Sequence, residues 1–143
     1  MTRFAGCLAA HLLLALALPS PWWVPNLTCI GLVRAVADEP RRWYLYGVVA
    51  GMLTALWAVR VPGQLVVGFL LAAAAVRWLG RHWDLTDTRV QELLVVGGSA
   101  LLSFGLLWLE PAWSPVLFGL ALGQVAVTWA AYRLSHRLIP RPA

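Results

Sequence analysis

The sequence contains no lysine, and all eleven of its basic residues are arginine. Charge of either sign is scarce: only 12% of the 143 residues are charged and only six of them are acidic. A water-soluble domain of this size carries about a quarter charged residues and is about half apolar. Here 61% of the residues are hydrophobic and the mean hydropathy is +0.75. So little charge cannot cover a water-facing surface, which makes a soluble core the weaker explanation. The length suits a single domain, residues 1–143.

Other absences narrow the function. The two cysteines, Cys7 and Cys29, fall inside apolar runs, with no CxxC and no neighbouring histidine cluster. They read as small packing residues, with no disulfide implied. None of the six carboxylates, Asp38, Glu39, Asp84, Asp87, Glu92 and Glu110, falls inside an apolar run. A buried acid would have suggested proton or cation coupling; here solvated pairing with loop arginines is the expectation. No catalytic set, cofactor motif or metal-ligand spacing is present, and a non-enzyme is expected. The net charge of +5 is spread in small groups between apolar runs. That spacing fits membrane orientation, and nucleic acid is not expected as a partner.

What the chain does have is six apolar segments. The first runs from Phe4 to Leu18 and stops at Pro19-Ser20-Pro21. Arg3 followed by an apolar run also fits a signal peptide, but further apolar segments follow, so a retained first helix is expected. The second, Asn26 to Ala37, is short for a full crossing. It is either a thin or tilted span or a re-entrant element packed within a bundle. Pro25-Asn26 opens it and Asp38-Glu39-Pro40-Arg41-Arg42 closes it. Trp43 to Val59, Gln64 to Leu79, about Leu93 to Leu109 and about Pro115 to Leu134 complete the set, with Gly80 to Glu92 as the one substantial polar loop. Tight turns, Arg60-Val61-Pro62-Gly63 and Glu110-Pro111-Ala112-Trp113-Ser114, join the third segment to the fourth and the fifth to the sixth.

If the first segment enters from the cytoplasm, Arg3, Arg34, Arg41, Arg42, Arg77, Arg81, Arg89, Arg133, Arg137 and Arg141 fall on the cytoplasmic side and Arg60 alone falls opposite. Such a bias is the mark of cytoplasmic loops. Both termini are then cytoplasmic. Trp22, Trp23, Trp57, Trp108 and Trp113 lie at far-side ends, and Trp43, Trp78 and Trp83 at cytoplasmic ends, as an interfacial belt requires; Trp129 falls deeper. The predicted architecture is an all-α integral membrane protein, a six-segment helical bundle.

Few residues stand out as sites. His82 and His136 sit beside cytoplasmic arginines, where loop or headgroup placement is expected. His11 lies near the middle of the first segment. An ionisable group there is expensive and often functional, but a neutral histidine satisfied by a polar group on a neighbouring helix is the simpler expectation. Arg34 and Arg77, near cytoplasmic ends, can snorkel to the interface; were the second segment re-entrant, Arg34 would line a polar crevice. Gly47 and Gly51 form GxxxG in the third segment, Gly119 and Gly123 form another in the sixth, and Gly97-Gly98 lies in the fifth. Small residues at that spacing let helix backbones approach closely in lipid. Thr28, Thr54, Ser99, Ser103, Gln124 and Thr128 are candidates for interhelical hydrogen bonds.

The order of these landmarks resembles the rod shape-determining protein MreD family. The likeness begins at Pro25-Asn26, which opens the short second segment, and continues through its end at Glu39-Pro40-Arg41-Arg42. It extends over the glycine-bearing helix from Gly47 to Leu56, the turn holding Gly63, and the polar loop with Arg81 and Gln91. One position departs: four residues after Gly51, where the family usually carries Asp, this chain has Ala55, so the role of that Asp cannot be carried over.

The resemblance implies a non-enzymatic scaffold subunit of the cell-elongation machinery. Its partners would be a membrane-anchored MreC-like protein and, through it, the peptidoglycan polymerase and transpeptidase and the MreB filament. It also implies a fold like the substrate-binding subunits of energy-coupling-factor transporters. Pro25, Asn26, Arg34, His11, Gly47 and Gly51 are the partner-binding or structural candidates. The alternative is a vitamin-type small-molecule binding subunit of a transporter, which would need a polar pocket built from the far-side loops.

Overall fold

Caps and prolines decide where the helices of this chain begin. The computed structural model describes residues 2–18, 24–56, 62–108 and 114–138. Among them it contains six α-helices and no strand: α1 (Thr2–Ala17), α2 (Leu27–Asp38), α3 (Trp43–Ala55), α4 (Pro62–Leu79), α5 (Thr88–Trp108) and α6 (Pro115–Leu138). Asn26 caps α2, its Oδ1 accepting the Cys29 N–H at 3.0 Å. Pro40 ends the run and starts a single 3-10 turn, Pro40–Arg42, that leads directly into α3. Pro62 and Pro115 occupy first helical positions, where the missing N–H costs nothing. Ser114 caps α6, its Oγ accepting the Leu117 N–H at 3.2 Å.

The polar stretch Gly80 to Glu92 is only half a loop. Asp87 Oδ1 accepts the Arg89 N–H at 2.9 Å and its carbonyl accepts Gln91 N–H at 3.0 Å, so α5 starts at Thr88. The remaining turn, residues 80–87, is folded down by Leu85, which packs where a side chain on Gly80 would stand, and Gln91 Nε2 holds the Leu85 carbonyl at 2.6 Å.

Helix α2 occupies the centre. Thr28, Cys29, Ile30, Leu32, Val33 and Val36 are buried, and the helix packs against all five others. It runs antiparallel to α1, with Gly31 beside Cys7 and Phe4, and parallel to α6, with Asn26 level with Thr128 and Arg34 level with Ser135. Its first turn therefore begins beside the middle of α1, at His11, and roughly 20 Å along α6 at 1.5 Å per residue. The ambiguity over the short segment resolves into a half-length helix, spanning only one half of its longest neighbour.

The helix ends sort by charge. Arg3, Arg34, Asp38 and Glu39 share one cleft, while Arg41, Arg77 and Arg81 share another beside it. Arg34 reaches Ser135, and Thr88 hydrogen-bonds His136 at 3.2 Å, which brings the end of α6 and the start of α5 to the same pole. Trp129 is shallower than expected: its indole N–H donates to Glu92, level with the polar first turns of α5. Arg60, Glu110, Arg141, Trp22, Trp23, Trp57 and Trp113 lie outside the described residues, as do the Pro19-Ser20-Pro21 stop and the side chains of Trp108 and Arg137.

Among the described residues, one helix, Pro115–His136, is long and apolar enough to cross a membrane by length and composition, and 17% of its apolar window is buried in the bundle; Arg3–Ala17 and Gly63–Leu79 are shorter apolar helices.

Candidate functional site

Two polar layers hold α2, one at each end. At its start, the backbone N–H of Asn26 donates to Thr128 Oγ1 at 2.9 Å, and that hydroxyl donates onward to the Gln124 carbonyl at 2.7 Å. Ser103 Oγ on α5 donates to Gln124 Oε1 at 3.0 Å, and Gln124 Nε2 donates to the Val24 carbonyl at 3.4 Å. His11 Nδ1–H donates to the Pro25 carbonyl at 3.1 Å. The expected partner for His11 is thus a backbone carbonyl just ahead of α2, and the ring ties α1 to the entry of α2. Pro25, Asn26 and His11 come together here, with Gln124 and Thr128 added from α6.

At the other end, Arg34 Nη2 donates to Ser135 Oγ at 3.2 Å while its guanidinium lies 5.5 Å from the Tyr132 ring centroid. Tyr132 is buried, and its hydroxyl lies 3.4 Å from both the Thr88 carbonyl and Gln91 Oε1. Arg34 also lines a cleft of about 220 Å³ with Arg3, Cys7, Asp38, Glu39 and Tyr46. It is therefore both a crevice residue and a strut between α2 and α6. Sequence reasoning found Arg34 but missed Tyr132 and Ser135, since a tyrosine and a serine near the end of a helix carry no signal on their own.

Gly47 and Gly51 do different work from these polar groups. A Cβ on Gly51 would stand 2.4 Å from Val66 Cα, and one on Gly47 would stand 3.1 Å from Leu70 Cα. The α3–α4 pair is in backbone contact along this line, which only glycine permits. The second GxxxG behaves oppositely: a Cβ on Gly119 or Gly123 would meet nothing within 4 Å. Ala55, at the departing position, is buried in the core. Of the six predicted polar linkers, Ser103, Gln124 and Thr128 join helices, whereas the buried hydroxyls of Thr28, Thr54 and Ser99 have no hydrogen-bond partner.

Glu92 is a perturbed acid at the arginine-rich pole. The Trp129 indole N–H and the Arg133 guanidinium, at 3.0 Å, hold its carboxyl below the ordinary value of 4.5. Among the described residues no cluster of three or more His, Cys, Asp or Glu could hold a metal. Comparison with family models, with characterised proteins and with solved structures finds no match to this chain.

Proposed function

We propose that the chain is a multi-pass protein of the bacterial inner membrane, acting as a non-enzymatic scaffold subunit of the cell-elongation complex. The distribution of side chains supports the membrane part. Large apolar residues point outward, with Leu13 67%, Leu56 77% and Val116 70% exposed, while Gln91, Ser99, Ser103 and Thr128 are buried. In lipid the outer face needs no polar cover, and interior polar groups with close glycine contacts supply the packing that hydrophobic drive cannot. The described arginines near helix ends gather at one pole, which as the cytoplasmic side puts both ends of the chain inside.

The observation that carries the scaffold reading is α2, a half-length helix opened by Pro25-Asn26 and gripped by the other five. It is the landmark on which the resemblance to MreD rests. An MreC-like protein is the direct partner under this reading, and the peptidoglycan polymerase and transpeptidase and the MreB filament are reached through it. A bundle pinned through its centre presents fixed outer faces, as a scaffold must. Both clefts described here open at the arginine-rich pole, and the far-side loops that a vitamin-binding subunit would use lie largely outside the described residues.

Co-expression tests the proposal. Tagged chain extracted from carbonate-washed membranes in mild detergent should bring down an MreC-like protein from the same cells. Full insertion of both proteins without co-purification or cross-linking would sink the scaffold assignment.

A further inference from the structure

Between the 3-10 turn at Pro40 and the turn that follows α4 lies an open groove of about 420 Å³, lined by Arg41, Arg77, Arg81, Trp83 and Asp84 among others. That volume equals roughly a dozen waters, ample for a phosphate group and part of what carries it. The three guanidinium groups come from two stretches of chain, Arg41 from the 3-10 turn and Arg77 and Arg81 from the end of α4 and the turn after it, and the fold brings them together. Arg77 fixes the spacing of the walls: its Nη1 donates to the Pro40 carbonyl at 3.1 Å, and its guanidinium lies 6.0 Å from the Trp43 ring centroid. It thereby clamps the turn carrying Arg41 against the end of α4, next to Arg81.

Opposing charge is limited. Asp84 is the one carboxylate of the groove, and its Oδ1 accepts from the Thr86 N–H at 2.8 Å and the Thr86 hydroxyl at 2.7 Å. The carbonyls of Val76, Trp78 and Leu79 at the end of α4 are taken by the N–H groups of Gly80, Arg81, His82 and Trp83, which removes them as rivals to an anion. Arginine presents a planar fork that pairs with phosphate oxygens in bidentate fashion. Trp83 is exposed on the rim, where an indole favours the headgroup level.

We propose that this groove is a binding site for a phosphate group, carried on an anionic lipid headgroup or free in solution, with Arg41 and Arg81 as its contacts and Arg77 as the positioning residue. The site rests on the membrane reading above, which puts the groove at the cytoplasmic headgroup level.

The test uses the full chain in nanodiscs of phosphatidylcholine containing phosphatidylglycerol, with retained lipid read by native mass spectrometry. Wild type should retain phosphatidylglycerol in preference to phosphatidylcholine, and R41Q/R81Q should lose that preference roughly tenfold. The charge-matched control R3Q/R89Q, outside the groove, should keep it. Displacement of the lipid by matched inorganic phosphate would assign the site to a soluble phosphate; resistance to it would assign the headgroup. Equal preference in R41Q/R81Q and wild type, with both retained in carbonate-washed membranes, overturns the groove and leaves the membrane reading intact. Release of wild type by the carbonate wash overturns both.

Discussion

The backbone N–H of Asn26 donates to the hydroxyl of Thr128 across 2.9 Å, joining two residues 102 positions apart in the chain. Asn26 uses its side chain to cap α2 and its main chain to hold α6, so one residue sets both the start of the helix and its place in the bundle. Thr128→Val keeps the shape of the side chain and removes the acceptor, leaving a backbone donor unpaired in the interior. The loss should cost about 1–3 kcal/mol, read as a lower melting temperature in detergent. Thr128→Ser should retain most of the stability. Equal melting of the Val and Ser variants would show that the bond contributes nothing.

The two GxxxG pairs predict opposite outcomes for the same substitution. Gly51→Ala forces a methyl group to within 2.4 Å of Val66 Cα, so α3 and α4 must part. A destabilisation of about 1–3 kcal/mol is expected from such overpacking. Gly119→Ala and Gly123→Ala meet open space inside a helix and should leave stability unchanged or raise it by up to about 1 kcal/mol. Thermal melts of the three purified variants decide the matter, and a ranking in the reverse order would refute the close α3–α4 contact.

Arg34 and Ser135 should be energetically coupled. A double-mutant cycle through Arg34→Ala, Ser135→Ala and the pair should return an interaction of about 0.5–1.5 kcal/mol, since the bond is charge-assisted and partly buried. Arg34→Lys should not restore it, because an ammonium reproduces neither the reach of the planar fork nor its stacking on Tyr132. Strict additivity in the cycle would remove Arg34 as a strut.

Glu92 carries a pH signature. Trp129 and Arg133 lower its folded-state pKa below the ordinary 4.5, so its contribution to stability is present above that value and is lost as pH falls through the lowered one. Melting temperature should fall as pH drops below about 4.5, and Glu92→Gln should flatten that part of the profile. An unchanged slope in the variant would assign the acid sensitivity to other carboxylates.

Much of this architecture was legible because apolar runs and their stops are local features. Pro25-Asn26 and Pro40 mark both ends of α2, and the structure puts the cap and the 3-10 turn at those positions. The start of α5 was hidden, since Thr88 to Glu92 are mostly polar and a solvated helix end shows no apolar periodicity; only Asp87, a cap among other polar residues, marks it. The depth of α2 was also hidden. Nothing in twelve residues says which level of a neighbouring helix they will meet, and that level is set by His11, Gln124 and Thr128, which lie far away in sequence. Likewise GxxxG announces a close approach without naming the partner, and the two copies here differ entirely in what lies opposite.

The half-length of α2 bears on how the chain is made. Twelve residues are too few to partition into a bilayer as an independent span. Its seat is formed by α1, already synthesised, by α3 and α4, which follow it, and by α5 and α6, which come later still. During translation α2 can meet only α1, α3, α4 and α5 until Thr128 and Ser135 have been made and close over it. Packing around α2 is complete only with α6, and truncation within α6 removes the partners of a segment made a hundred residues earlier.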